Sequence, residues 1–582
     1  MPAPATPNTA TTSSPRPAAP ASDERTRALP PAFAAKRART QSSARGMVVS
    51  DASLATKVGV EMLEAGGNAV DASIALAFAL AVVFPTAGNL GGGGFAVVHP
   101  ASGADAALDF RETAPGAVTP ATFGKNEGGM NAPSRFGHLA SGTPGSVAGL
   151  YALYEKLGSK KKKWSELLAP AIRFAEDGFV VDEDFHDAIA FVAERLKKFP
   201  ASAALFVPGG SAPAVGSTFK NPDLAKVLRR IAEEGPKGFY RGPTADALVA
   251  EMKRGGGLIS SEDLSTYEAK WRTPVTFQYR GHRVVSMPPP SSGGLTLAMM
   301  SAILEPYPLA KMGWHSPEEI HLLAEASRRA FAARNSRLGD PDFVKNPSDE
   351  LLSKGWADAQ RATISTEKAT PSASLGIKEK GSGEGPHTTH FSIVDGEGNV
   401  VAITTTLNWW FGSGVTVEGA GFVMNNEMDD FAIIPGTANT FGLVQGELNA
   451  VAPKKRMLSS MSPTVVLGPD GHVELVLGAA GGPTIISAVM QIFSSVVDHG
   501  IDIGLAEAAP RFHHQALPDL LTVEKGGLTD EQRAALTRLG HAFKERDHIA
   551  DAPSIAWDPS AKVWIGAPET RRSGTLALGP AR

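Results

Sequence analysis

"GPHTTHFSIVDGEGNVVAITTTLN", residues 385–408, holds two strand-forming runs around a short turn segment, the pattern of a β-hairpin. If the loop is Asp395 to Asn399, pairing sets Thr388 opposite Thr406, whereas a four-residue loop moves the register by one. In the first register two hydroxyls face each other at the hairpin mouth, and Thr404, Thr406 and Asn408 share a face by the strand period of two. Threonine is also simply a good strand former. The stretch ahead of it, "KATPSASLGIKEKGSGEGPH", residues 368–387, is polar, rich in Gly, Ser and Pro, and reads as a linker. A strand that opens with Thr just after a linker becomes a new chain start if the His387–Thr388 bond is cut. The freed α-amine, with an ordinary pKa of about 7.7–8.0, would sit beside the Thr388 hydroxyl and could serve as its general base.

The chain on both sides of the hairpin mixes helices with strands bounded by turns. Downstream, "PTVVLG", "VELVLGAAGG" and "SIAWD" read as strands, and "TIISAVMQIFSSVVDHG" as a helix covering them. Upstream, a helix over residues 54–64 precedes an almost wholly apolar one that stops before Pro85, so the second must be buried on most sides. "GNLGGGGF" enters a strand at Phe95, and without a following Lys-Ser/Thr pair its glycines read as a flexible or tightly packed turn rather than a phosphate loop. Hairpins rather than repeated βαβ units predict layered α/β packing with a largely antiparallel sheet.

Composition narrows the function. The 582 residues are 42% hydrophobic and 20% charged with a formal net charge of -4, which is globular and argues against nucleic acid as the main partner. With no cysteine, a disulfide framework, a thiolate zinc site and a cysteine nucleophile are excluded. The Pro-, Ala- and Ser-rich residues 1–45 read as a disordered tail with order from Gly46. No secretory h-region and no membrane-length apolar run is visible.

A series of motifs, "GGNAVDASIA", "GNLGGGGF", "DFRETAP", "SGTPGSVAG", "PPPSSGG", "TTHFSIVD", "NNEMDDF", "LSSMSPT", "GAAGGPTII" and "APRFHHQ", runs in order from about Gly46 to the C-terminus. In these the chain resembles the gamma-glutamyltranspeptidases, self-cleaving N-terminal-nucleophile (Ntn) hydrolases. The resemblance implies an αββα sandwich whose single core is built from both cleavage products, a large subunit 46–387 and a small, catalytic subunit 388–582, which together form a heterodimer. It implies cleavage at His387–Thr388, with Thr388 as processing and catalytic nucleophile and Thr406 hydrogen-bonded to it. Gly481 and Gly482 match the oxyanion hole. Arg111, Ser459 and Ser460 match the site for a glutamyl α-carboxylate; Asn408, Glu427 and Asp430 match the site for its α-ammonium, a division that chemistry also favours, since guanidinium and hydroxyl groups suit a carboxylate and acidic or amide oxygens an ammonium.

The implied activity is γ-glutamyl transfer from glutathione or γ-glutamyl amides to water, amino acids or dipeptides through a γ-glutamyl-Thr388 ester, with no metal or organic cofactor and no membrane span. Family location would be periplasmic or secreted. Departures from familiar bacterial members are Trp409-Trp410, expected to narrow the acceptor side or pocket wall, and Phe441, in the expected lid, where Tyr is common. A glutaryl- or cephalosporin-acylase-like member is the alternative within the family; an unprocessed glutamate-binding protein is the alternative of another class. Read alone, "NNEMDD" is a solvated acidic loop or a hard-metal site, and the adjacent histidines of "RFHHQ" point apart and read as structural.

Overall fold

The computed structural model describes residues 29–375 and 388–581. Two seven-stranded antiparallel sheets stack face to face. In the first, the spatial order is Leu576–Leu578, Gly46–Ser50, Thr388–Asp395, Val400–Thr406, Gly93–His99, Ala106–Phe110 and Lys270–Arg272. In the second it is Gln41–Ser43, Val563–Ala567, Ser554–Asp558, Val473–Leu477, Thr464–Leu467, His282–Ser286 and Val275–Tyr279.

Strand periodicity explains how the layers seal. Met47, Val49, Phe95, Val97, Val394 and Ala402 belong to one core with Val285, Val466 and Leu475 of the second sheet. Their sequence neighbours Val48, Ala96, Val98, Ile393, Val401 and Ile403 belong to another core with helix Ala69–Val83. That helix is buried along its whole length, as its apolar sequence requires, and begins with an Asn68–Asp71 capping box. Helices Gly293–Leu304, Pro317–Arg337 and Thr484–Val497 contribute to the core between and behind the sheets. The result is the expected layered, largely antiparallel α/β sandwich, with residues from both sides of His387–Thr388 in each core. No described helix is long and apolar enough to cross a membrane.

Two boundaries differ from the sequence reading. Order does not wait for Gly46: Leu29, Phe33 and Ala38 are buried, and Gln41–Ser43 pairs with Val563–Ala567 at a sheet edge. A composition average over residues 1–45 hides these few apolar anchors. The linker also begins later than residue 368. The Ala369 N–H donates to Leu539 O at 2.7 Å, and the Ser372 N–H to Asp519 Oδ2 at 2.7 Å. His387 and the rest of the linker, residues 376–387, lie outside the described residues, as do residues 1–28 of the expected tail.

Candidate active site

The hairpin has the five-residue loop, and Thr388 pairs with Thr406. The Thr388 hydroxyl donates to Thr406 Oγ1 at 3.3 Å, and Thr406 Oγ1 also accepts from the Asn408 N–H at 2.7 Å. That second bond turns the chain out of the strand: Asn408 has φ +75°, in the left-handed region where Asn is among the tolerated residues. Its side-chain amide donates to Asn426 O at 3.0 Å. The glycine run packs beneath. A Cβ on Gly92 would lie 2.1 Å from Thr406 O, and one on Gly94 2.4 Å from Thr404 O. "GGGG" is thus the close-approach surface for the hairpin mouth.

One cavity of about 330 Å³ gathers Thr388, Thr406 and Asn408 with Arg111, Glu427, Asp430, Ser459, Ser460, Phe441 and Gly482. Gly481 lies just beyond its wall. The two glycines precede helix Thr484–Val497 with φ +148° and +59°, and neither N–H has a protein acceptor among the described residues. A Cβ on Gly482 would stand 2.9 Å from the Phe441 ring, so glycine there is what lets Phe441 close over the site. Phe441 is seated by its own N–H, which donates to Asn439 Oδ1 at 3.0 Å, and by its carbonyl, which accepts from Gln515 Nε2 at 2.9 Å.

The charged residues do not form separate cationic and anionic ends. Arg111 is 3.0 Å from Glu427 Oε1, pairs closely with Asp430, and lies 3.7 Å from Glu112. Burying unpaired charges is costly, so guanidinium and carboxylates neutralise one another. Burial pushes the Glu427 carboxyl well above the usual carboxylate range despite Arg111, with repulsion from Glu112 and Asp430 adding to it. Burial likewise lifts Asp430. "NNEMDD" is therefore no solvated loop: Glu427–Asp430 is a buried 3-10 turn, and Asp429 accepts from Ser134 Oγ at 2.5 Å, Arg135 Nε at 3.0 Å and the lid's Thr440 N–H at 2.8 Å.

Comparison with known proteins identifies the family. The gamma-glutamyltranspeptidase family model covers residues 55–579. The chain belongs to the gamma-glutamyltranspeptidase family. It is 43% identical over 546 residues to the glutathione hydrolase proenzyme of Pseudomonas sp. strain A14, covering 92% of this chain and 94% of that one. To the glutathione hydrolase proenzyme of Escherichia coli K12 it is 42% identical over 537 residues, 92% of each. The crystal structure of cephalosporin acylase from Bacillus halodurans superposes with a TM-score of 0.83 at 28% identity, covering 94% of this chain and 98% of that one.

Three buried charged residues in or beside the candidate site escaped the sequence reading. Arg334, from helix Pro317–Arg337, lines the cavity, donating to Gln445 Oε1 at 2.8 Å, Ser292 Oγ at 3.1 Å and Ser460 Oγ at 3.3 Å. Burial lowers its pKa to about 10. Glu112 has both carboxylate oxygens buried without a hydrogen-bond partner, and burial, opposed by Arg111, pushes it up to about 7. Asp51 accepts from the Thr389 hydroxyl at 2.9 Å, directly beside Thr388, and burial with the nearby Asp551 charge raises it to about 7. A second correction concerns Trp409 and Trp410, which lie outside the cavity lining: Trp409 stacks under Arg195 at 5.2 Å and Trp410 against Phe191 at 4.9 Å. The "RFHHQ" histidines diverge, His513 Nδ1 meeting Ser487 Oγ at 2.7 Å and His514 Nε2 meeting Asp519 Oδ1 at 3.3 Å.

Proposed function

We propose that this chain is a self-processing γ-glutamyltransferase and glutathione hydrolase with Thr388 as nucleophile. The observation that carries the reading is that one cavity joins Thr388 and Thr406 to Gly482 and to the residues suited to an amino acid head. In processing, Thr388 Oγ1 attacks the His387 carbonyl, the peptide C–N bond gives way to an ester, and water hydrolyses it, leaving a His387 carboxylate and a free Thr388 α-amine. In turnover that amine takes the hydroxyl proton as Oγ1 attacks the γ-carbonyl. The developing oxyanion meets the open N–H groups of Gly481 and Gly482, a contact worth about 10²–10³ in rate per donor. The amide C–N bond breaks, the leaving nitrogen takes the proton, and water or an amine resolves the γ-glutamyl ester.

Substrate recognition follows from exchange of partners. A zwitterionic glutamyl head brings its own carboxylate to Arg111, Ser459 and Ser460, and its own ammonium to Asn408, Glu427 and Asp430. The substrate's charges thus enter a site that already holds their complements, so their loss of water is offset by pairing. The relatives named glutathione hydrolase proenzyme support a glutathione-type donor and processing of a precursor chain. The likeness to a cephalosporin acylase keeps glutaryl transfer as a second reading. A glutaryl group lacks the ammonium that Glu427 and Asp430 would receive.

Denaturing electrophoresis and paired donors test this. Wild type should yield two fragments and Thr388→Ala a single chain; a chromogenic γ-glutamyl anilide should be cleaved far faster than its glutaryl counterpart. A wild type that stays whole and resembles Thr388→Ala removes the self-processing reading, and equal donor rates remove ammonium recognition.

A further inference from the structure

Behind the lid lies a cavity of about 340 Å³ that shares no lining residue with the catalytic one. Two segments wall it. Phe431, Ile433 and Ile434, at the start of the lid, give an apolar surface that runs on to Asn439, while Lys125 and Arg135 come from a loop that precedes Thr388 in the chain. Asp429 answers only one of the two cations, lying 3.0 Å from Arg135 Nε. Lys125 is exposed and has no ion-pair or hydrogen-bond partner among the described residues. The other unmet group is buried. Asn439 is 7% exposed, and its Oδ1 accepts from the Phe441 N–H at 3.0 Å and the Leu443 N–H at 3.1 Å, which fixes the amide's orientation because only its oxygen can accept. Its Nδ2 is therefore left buried without a partner among the described residues, on a side chain that lines the cavity. A buried donor is costly to leave unmet, so this one marks the place of an acceptor.

We propose that this cavity binds a small monocarboxylate with an apolar tail, its carboxylate taking Asn439 Nδ2 and Lys125 and its tail lying on Phe431, Ile433 and Ile434, and that the bound molecule holds the lid shut. Charge sets the class: with Arg135 and Asp429 paired, one cation remains, which suits one negative charge. Volume sets the size, since this cavity is at the small end of ligand pockets, and an apolar wall with a few polar groups is their usual make-up. The link to the catalytic site runs through Asn439, which seats Phe441, and Asp429, which accepts from the Thr440 N–H at 2.8 Å. A carboxylate shared between Lys125 and Asn439 ties the lid to a loop outside it, so the position of Phe441 over Gly482 is favoured and opening is slowed. Binding stands apart from the γ-glutamyl reading above; only its kinetic consequence rests on that reading.

Isothermal titration calorimetry of the purified wild type with 3-phenylpropanoate, and with its uncharged amide as control, reads binding directly. The acid should bind saturably and the amide about tenfold to a hundredfold more weakly. Lys125→Met, at an exposed position, and Ile434→Glu, which sets a like charge on the apolar wall, should each weaken the acid by a similar factor, while Lys125→Arg keeps it. Without the acid, all three variants should turn over γ-glutamyl-4-nitroanilide like wild type. In wild type, saturating acid should lower kcat and KM for that donor by the same factor, because a shut lid retains donor and product alike. In Lys125→Met and Ile434→Glu it should leave both unchanged. A KM that rises with kcat constant, or binding that survives Lys125→Met, puts the carboxylate at Arg111 in the glutamyl site and overturns the proposal. Equal binding of acid and amide, or no saturable binding, overturns it too, and binding with no change in kcat or KM overturns the hold on the lid. A wild type that binds the acid through Lys125 but cleaves no γ-glutamyl donor refutes the γ-glutamyl reading and upholds the site.

Discussion

Thr406→Val is the sharpest probe of the nucleophile's setting. The change is nearly isosteric but removes an oxygen that accepts from Thr388 Oγ1 at 3.3 Å and from the Asn408 N–H at 2.7 Å. Thr406 and Asn408 are both buried, so that N–H is left without its acceptor at a cost of about 1–3 kcal/mol, and a further 0.5–1.5 kcal/mol or so goes with the bond to the nucleophile. Asn408 is held at φ +75° by the lost bond, so its side chain and the Thr388 rotamer both loosen. If about 2–3 kcal/mol of this falls on the transition state, kcat drops about 30- to 150-fold. Fragment appearance on denaturing gels should slow as well, since the same hydroxyl attacks His387. Donor KM should rise less than kcat falls, because most of the cavity lining is untouched. Thr406→Ser, which keeps the oxygen, should recover most of the rate. A Thr406→Val enzyme that processes and turns over like wild type, or a Thr406→Ser as impaired as the valine variant, would refute the reasoning.

Arg334→Gln keeps hydrogen-bonding capacity toward Gln445 and Ser460 but removes a buried positive charge, and should raise KM about tenfold for glutamyl and glutaryl donors alike, with kcat less affected; a selective loss of the glutamyl donor in paired assays would misplace Arg334 at the ammonium end. The pH profile follows from the raised carboxylates. An ammonium requires Glu427 and Asp430 ionised, and burial shifts both upward, so donor KM should begin to climb while pH is still above the ordinary carboxylate range and go on rising as pH falls through it. Glu427→Gln removes one of these groups and eases the repulsion on its neighbours, moving the rise to lower pH; a KM profile that both enzymes share, titrated with the γ-glutamyl anilide, would count against this assignment.

The hairpin register was legible because it follows from strand period and loop length alone, and the depth of helix Ala69–Val83 because its residues are apolar all round. The glycine pair, the acidic turn and the serines became legible only together, through a family resemblance; singly each has an ordinary reading. Arg334 was not legible at all. "RRAFAARNSR" has the charge density of a solvated helix face, yet Arg328, Arg329 and Arg334 are among the largest fully buried side chains, because distant segments supply their partners: Ser372 and Asp519 for Arg328, Thr363 and Thr370 for Arg329, Ser292, Gln445 and Ser460 for Arg334. Burial of an arginine is a tertiary outcome with no local sequence signature. Trp409 and Trp410 misled for the converse reason: adjacency to Asn408 suggested the cavity, but the left-handed turn at Asn408 and stacking on Arg195 and Phe191 carry them away from it.

Sheet order also bears on what a cut before Thr388 would do. Strand Thr388–Asp395 lies between Gly46–Ser50 and Val400–Thr406, and the latter is itself bordered by Gly93–His99. Segments from the two sides of the cut thus interleave within one sheet, and Thr464–Leu467 pairs with His282–Ser286 in the other. Arg111 and Arg334 come from one side; Thr388, Glu427, Asp430 and Gly482 come from the other. Hydrolysing one peptide bond in the linker removes none of these ladders. It would release the strand's first residue from its tether and add an amine beside its hydroxyl. The chemistry gained would be local to Thr388, while the two fragments would stay joined by the same sheets and cores that hold the uncut chain, which is why a site assembled from both could survive such a cut.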